Sequence, residues 1–262
     1  MPIILIAAAF YLLAAWLVAR RLQVDRGAGA GFWQLTAVSA VVLHGLFHVL
    51  AWRATAAVDL HFFSALSLVG LGMAALTTLY AATGRMGALG VVVFPVAAAC
   101  LVGYGVSGGS APRDLGWRLE LHAWLALLGY AALAIAAVLA IMLRLQERAL
   151  RQRQFSGWLR VLPPLTELES LLFRTIWVGF VLLTATLLTG ILFVHDFFAQ
   201  HLIHKSVLSI LSWLVFGALL LGRWRHGWRG AKAVRLTLVA MALLVLAFFG
   251  SKFVLELVLQ RA

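Results

Sequence analysis

Cysteine, proline and charge are all scarce in this chain. Its 262 residues hold one cysteine (Cys100), five prolines and nine carboxylates. A single thiol excludes an internal disulfide, a CxxC redox pair and a thiolate metal cluster. No HExxH pattern, Ser-His-Asp arrangement or P-loop occurs, so hydrolytic and nucleotide-dependent chemistry lack a carrier and no enzyme activity is expected. Charged residues make up 11% against 64% hydrophobic, and the mean hydropathy is +1.01. Soluble domains carry about 25% charged and about 45–50% apolar residues, so a soluble globular domain is not expected.

What is abundant is apolar sequence in long runs. About 20 apolar residues span the hydrocarbon core of a bilayer, and eight runs qualify, at roughly 2–19, 32–52, 62–83, 87–106, 121–143, 175–198, 206–222 and 233–257. The expected fold is all-α, a polytopic membrane bundle of eight transmembrane helices forming one domain over residues 1–262, with no soluble domain attached. The first run lacks a basic n-region and a small-residue cleavage site and ends at Arg20-Arg21, unlike a cleavable signal. Pro95, at the middle of the fourth run, is expected to kink it. Residues 146–173, basic and then acidic around Pro163-Pro164, read as an amphipathic segment lying on the membrane surface.

The net charge of +12 has a better explanation than nucleic acid, which is not an expected partner. Basic loops stay on the cytoplasmic side of a membrane. With both termini on the outer, periplasmic side, fifteen of the twenty-one Lys and Arg residues fall in inner loops. Membrane lipid is the partner this implies, and the tight basic and aromatic loop Arg223–Lys232 suits a headgroup anchor.

Histidine breaks the pattern. In the assigned orientation His44, His48, His61, His122, His195, His201 and His204 all lie in the outer half or the outer loops, and only His226 lies inside. The orientation rule concerns Lys and Arg, so topology does not explain the bias. Histidines within spans usually face a bundle interior or a pathway. His44 and His48, four apart, share one helical face, and His122 stands at the mouth of the fifth run. Three more crowd the stretch His195–Lys205. Ser64, Ser67 and the nearby glycines of the third run read as packing residues. Neutral imidazoles suit iron, zinc or copper, and two on opposing helices can hold a haem iron; Trp124, Phe197, Phe198 and Trp213 are the aromatic residues that would face a porphyrin. A zinc site on His201-x-x-His204 with Asp196 or His195 is the weaker metal alternative.

Several stretches resemble a known family. His122-Ala-Trp-Leu-Ala-Leu-Leu-Gly-Tyr-Ala-Ala-Leu, Phe173-Arg-Thr-Ile-Trp-Val-Gly-Phe-Val-Leu-Leu-Thr, Ser212-Trp-Leu-Val-Phe, Gly227-Trp-Arg-Gly and Phe249-Gly are similar to the CcsA/CcmC superfamily of cytochrome c assembly proteins. The whole chain resembles its short YpjD-like inner-membrane branch, most specifically over helices five to eight, about 121–257. The resemblance implies a multi-pass protein of the bacterial inner membrane that binds haem, b-type and non-covalent, near the outer face. It implies assistance in cytochrome c or haem-protein assembly, with other assembly proteins or an apocytochrome as partners. It also implies that His122 matches the family's first external haem-ligand histidine and His44 the histidine of that branch's second helix. His122 is the expected first ligand, with His44 or one of His195, His201 and His204 as its partner and Trp124 and Trp213 as walls. The family's tryptophan-rich external segment would fall at His195–Lys205, which has no tryptophan. A histidine-based proton or divalent-metal transporter, or a non-haem accessory membrane protein, are the alternative readings.

Overall fold

A computed structural model describes residues 1–23, 30–55, 59–82, 86–107, 116–152, 164–193 and 200–254, with the side chains of the last segment described from Lys205 onward. All the regular structure in these residues is helical: α1 (Pro2–Gln23), α2 (Ala30–Thr55), α3 (Phe62–Ala82), α4 (Gly90–Ser107), α5 (Gly116–Arg151), α6 (Leu165–Phe193), α7 (Gln200–His226) and α8 (Gly230–Val245). Eight helices among the described residues are long and apolar enough to cross a bilayer. Hydrocarbon offers no partner for a backbone N–H or C=O, so helices, which satisfy both internally, are the form such runs must take. Leu5, Leu35, Leu79, Val181, Ile191 and Leu221 are more than half exposed, as lipid-facing side chains are.

The chain forms two compact units, Met1–Asp114 with Ala149–Pro164, and Leu115–Arg148 with Leu165–Ala262. In the first, α1 packs on α2 and α4, and α3 on α4. The seams are built from alanine: Ala8, Ala14 and Ala15 of α1, Ala37 and Ala40 of α2, and Ala97 and Ala98 of α4 are all buried. Small residues let helix backbones approach closely, which is how helices associate where lipid removes the hydrophobic driving force. Two larger rings fill the middle, Tyr11 stacked on Phe94 with centroids 6.0 Å apart. A 3-10 turn, Met86–Leu89, leads into α4, which runs on through Pro95.

In the second unit α5 lies against α6 at two glycines. A Cβ on Gly179 would stand 2.5 Å from Leu133 Cδ2, and one on Gly129 would touch Leu182. Side-chain hydrogen bonds tie the other pairs: Ser212 donates to the Ala240 carbonyl (2.8 Å) and the Trp213 indole donates to Thr184 Oγ1 (2.8 Å). The α7–α8 turn depends on Gly227, whose φ of 64° lies in the left-handed region that glycine adopts without strain. Beside it Arg223 donates to Glu169 (3.2 Å) and lies over the Phe173 ring.

Two boundaries differ from expectation. α5 has 36 residues, about 54 Å at about 1.5 Å per residue, against a hydrocarbon core of about 30 Å. α6 begins at Leu165, directly after Pro164. Most of the segment expected to lie on the membrane surface between residues 146 and 173 is therefore the ends of two long helices; residues 153–163 lie outside the described set. The Leu, Gln, Glu, Arg and Ala of 145–151 are strong helix formers, so nothing ends α5 at the bilayer edge. At its C-terminal end α8 widens into a turn of π-helix, Leu246–Gly250.

Gly179→Ala should force Leu133, which is fully buried, to move. A loss of about 1–3 kcal/mol, the usual range for overpacking, is expected as a lower thermal unfolding midpoint in detergent.

Candidate functional site

Among the described residues each unit has a group of polar side chains that includes histidine. In the second unit α5 contributes His122, Ala126, Gly129 and Tyr130, which at spacings of four, seven and eight share one helical face. They line a cavity of about 170 Å³ together with Leu183, Thr186, Leu187 and Gly190 of α6, Lys205, Ser206 and Ser209 of α7, and Leu244, Ala247 and Phe248 of α8 and its π turn. The walls are mostly apolar, with His122, Lys205 and the hydroxyls as the polar groups.

Hydrogen bonding fixes the form of His122. Its Nδ1 lies 3.1 Å from Thr189 Oγ1. The Thr189 hydroxyl spends its one proton on the carbonyls of Ala185 (2.9 Å) and Thr186 (3.0 Å). With its proton given there it accepts from His122, an arrangement that puts the imidazole proton on Nδ1 and leaves the lone pair on Nε2. Metal-ligating histidines are held in this way, the second nitrogen donating to a neighbouring oxygen. Tyr130 anchors the opposite wall by donating to the Leu244 carbonyl at 2.6 Å, one turn before the π segment. Single π turns in α-helices recur at functional sites because they displace backbone groups from the regular ladder.

In the first unit His44 is fully buried and both of its ring nitrogens are engaged. Nδ1 meets Tyr11 Oη at 3.1 Å and Nε2 meets Ser67 Oγ at 2.9 Å. Ser67 Oγ also meets His48 Nε2 at 3.0 Å. Ser67, expected to be a packing residue, is thus the junction of two histidines, a correction that follows from both imidazoles needing partners in a water-free interior. The His48 ring stacks on His44 (centroids 5.4 Å) and on Tyr104 (5.3 Å, 9° between planes). Beyond it, Tyr104 donates to Asp59 Oδ2 at 3.4 Å and His61 Nδ1 lies 2.7 Å from Asp59 Oδ1.

The expected site residues therefore separate. His122 lines the second unit's cavity, whereas His44 is a member of the first unit's network. Trp124 is 44% exposed and Trp213 stacks on Phe180 (centroids 5.5 Å); neither is among the cavity's lining residues, where Tyr130 and Phe248 stand instead. His201 and His204 lie on the first turns of α7, just before the cavity residue Lys205, but their side chains are outside the described set. His195, Asp196, Phe197 and Phe198 are outside it altogether. Among the described residues no group of three or more His, Cys, Asp or Glu converges as a metal site. Sequence reading missed Tyr11, Ser67, Tyr104 and Tyr130. For Tyr130 the spacing from His122 was a usable signal; for Ser67 and Tyr11 nothing local distinguishes them from filler.

These features define a polytopic helical membrane protein with a histidine-bearing cavity in its C-terminal half. Comparison with known proteins places it further. The model of a family described as "Cytochrome C assembly protein" matches residues 32–259, and the chain belongs to that family. It is 31% identical over 240 residues to the inner membrane protein YpjD of Escherichia coli K12, covering 87% of this chain and 89% of that one. An uncharacterised 28.8 kDa protein of Azospirillum brasilense is 39% identical over 153 residues, 58% of this chain and 55% of its own. The cytochrome c biogenesis protein CcsA of Synechococcus sp. CC9902 is 24% identical over 155 residues, and the chain spans about half of its length (51%). No solved structure matches.

Tyr130→Phe leaves the Leu244 carbonyl without its donor in the interior. Losing one partner of a buried hydrogen bond costs about 1–3 kcal/mol, so a lower thermal midpoint is expected, with Tyr130→Trp no better because the indole cannot place its donor at the same point.

Proposed function

We propose that this protein holds haem near the outer face of the bacterial inner membrane and assists cytochrome c or haem-protein assembly, with both termini on the outer side. The observation that carries the reading is the state of His122: Nδ1 is committed to Thr189, which leaves Nε2 as a ligand on the wall of a mostly apolar cavity. Family membership and likeness to proteins named for cytochrome c biogenesis support the same reading.

The donor set fits haem. His122 Nε2 would hold the iron, Phe248, Leu183 and Leu187 would pack against the apolar macrocycle, and Lys205 would supply a cation for a propionate. The cavity's 170 Å³ is below the roughly 300–1,000 Å³ of enclosing ligand pockets, so the macrocycle would be held by an edge and not engulfed. Partial enclosure suits a group that is received and passed on. His201 or His204, on the helix that brings Lys205 to the cavity, would be the second histidine to hold it. His44 is not assigned, because ligation there would strip a buried imidazole of a hydrogen bond to Tyr11 or Ser67. When bound, haem supplies an iron centre for redox and transfer chemistry; the protein's part is to bind, orient and release it. Other assembly proteins or an apocytochrome are the partners this role requires.

The test is the visible spectrum of protein purified in mild detergent, with and without added haem. Wild type should show a Soret band and sharp reduced α and β bands. His122→Ala should lose or strongly shift them, His201→Ala or His204→Ala should shift them, and His44→Ala should leave them in place. A colourless protein that takes up no added haem would refute the reading.

A further inference from the structure

The first unit's network reaches from the middle of the membrane to its edge and is independent of the haem cavity. Tyr11 and His44 are fully buried, His48 is half-buried, and Asp59 and His61 lie outside the spans, at the start of α3. We propose that this network is a proton path: the hydrogen-bonded row Tyr11–His44–Ser67–His48 lets Tyr11 and His44 exchange protons with the aqueous boundary at the α2–α3 junction through the half-buried His48, Ser67 being the switch.

Counting donors assigns the chain a resting polarity. Tyr11 Oη has His44 Nδ1 as its one hydrogen-bond partner among the described residues. A buried phenol O–H without an acceptor is costly, so Tyr11 donates and Nδ1 accepts. The His44 proton is then on Nε2 and is donated to Ser67 Oγ at 2.9 Å. Ser67 in turn donates to His48 Nε2 at 3.0 Å, which places the His48 proton on Nδ1. His44 and Ser67 each give one proton and take one. A shift along the row therefore carries the Tyr11 proton to His44, the His44 proton to Ser67 and the Ser67 proton to His48 Nε2, while His48 releases its Nδ1 proton to the aqueous boundary. The return of a proton by the same route restores the row. At the boundary end the ring of Tyr104 lies flat on His48, and its hydroxyl donates to Asp59. No hydrogen bond joins His48 to this pair among the described residues; the carboxylate is the charged group at the boundary end, and it also orients His61, whose Nε2 is buried and has no partner among the described residues. α1, α2, α3 and α4 each contribute to the row, and these are the titratable groups they direct into it.

A metal site is the competing use of two imidazoles that converge on one point. That point is occupied by the Ser67 oxygen, and no third protein ligand stands by among the described residues.

The experiment is nitrogen NMR of the full-length protein labelled with 15N-histidine in lipid nanodiscs. Ring shifts should show His44 with its proton on Nε2 and His48 with its proton on Nδ1. After transfer to D2O the His44 ring proton should exchange despite its burial, and Ser67→Ala should slow that exchange at least about tenfold while His48 exchanges as before. Ser67→Thr, which keeps the hydroxyl, should restore it. Asp59→Asn, at the boundary and outside the packed interior, should slow both histidines and serves as the readout if Ser67→Ala does not fold. The proposal is overturned if His44 carries its proton on Nδ1, if exchange at His44 is unchanged in Ser67→Ala, or if added Zn²⁺ shifts both Nε2 signals together as a metal pair would.

Discussion

A bilayer interior supplies no hydrogen bonds, and that constraint organises both halves of this protein. It forces each run into a helix and penalises a buried polar side chain that lacks a protein partner. A histidine inside such a bundle is consequently never neutral to its surroundings. Its two nitrogens are both engaged in His44, whereas in His122, a cavity-lining residue, Nδ1 is engaged by Thr189. The difference between the two units follows from which hydroxyl stands opposite. Ser67 has a free proton to give and joins two imidazoles into a row. Thr189 has given its proton to the preceding turn of α6, so it can only accept and thereby fixes one tautomer.

The same economy shapes the packing. Alanine seams in the first unit and glycines at the α5–α6 contact let backbones approach, so hydroxyls and imidazoles on neighbouring helices come within bonding distance. The second unit's cavity is lined by Gly129 and Gly190 together with Ala247 and Phe248 of the widened turn after α8, with Tyr130 holding the Leu244 carbonyl. Rigid helices thus place His122, Lys205 and Phe248 around one space at one end of their unit.

The helices were legible because hydropathy in runs of this length has one structural solution. Their ends were not, since α5 and α6 continue beyond the bilayer on helix propensity alone, which hydropathy does not see. His122 was legible through its position at a helix mouth and through the family resemblance. Its partner Thr189 was visible only as one threonine among several in α6. The roles of Tyr11, Ser67 and Tyr104 depend on contacts between residues 19 to 45 positions apart, which no local pattern encodes. The expectation that His44 and His122 act alike was natural from composition, where both are simply histidines in outer half-spans. Hydrogen-bond geometry separates them.

In the proposed function, Thr189 prepares His122 to hold haem iron. The direct measurement is the equilibrium affinity for haem of Thr189→Val and Thr189→Ser against the wild type, in the same detergent. Removing the outer partner of a ligating histidine lowers affinity by about 10–100-fold, so the valine variant should weaken by that factor and the serine variant should stay near wild type. Equal affinity in all three would contradict the account.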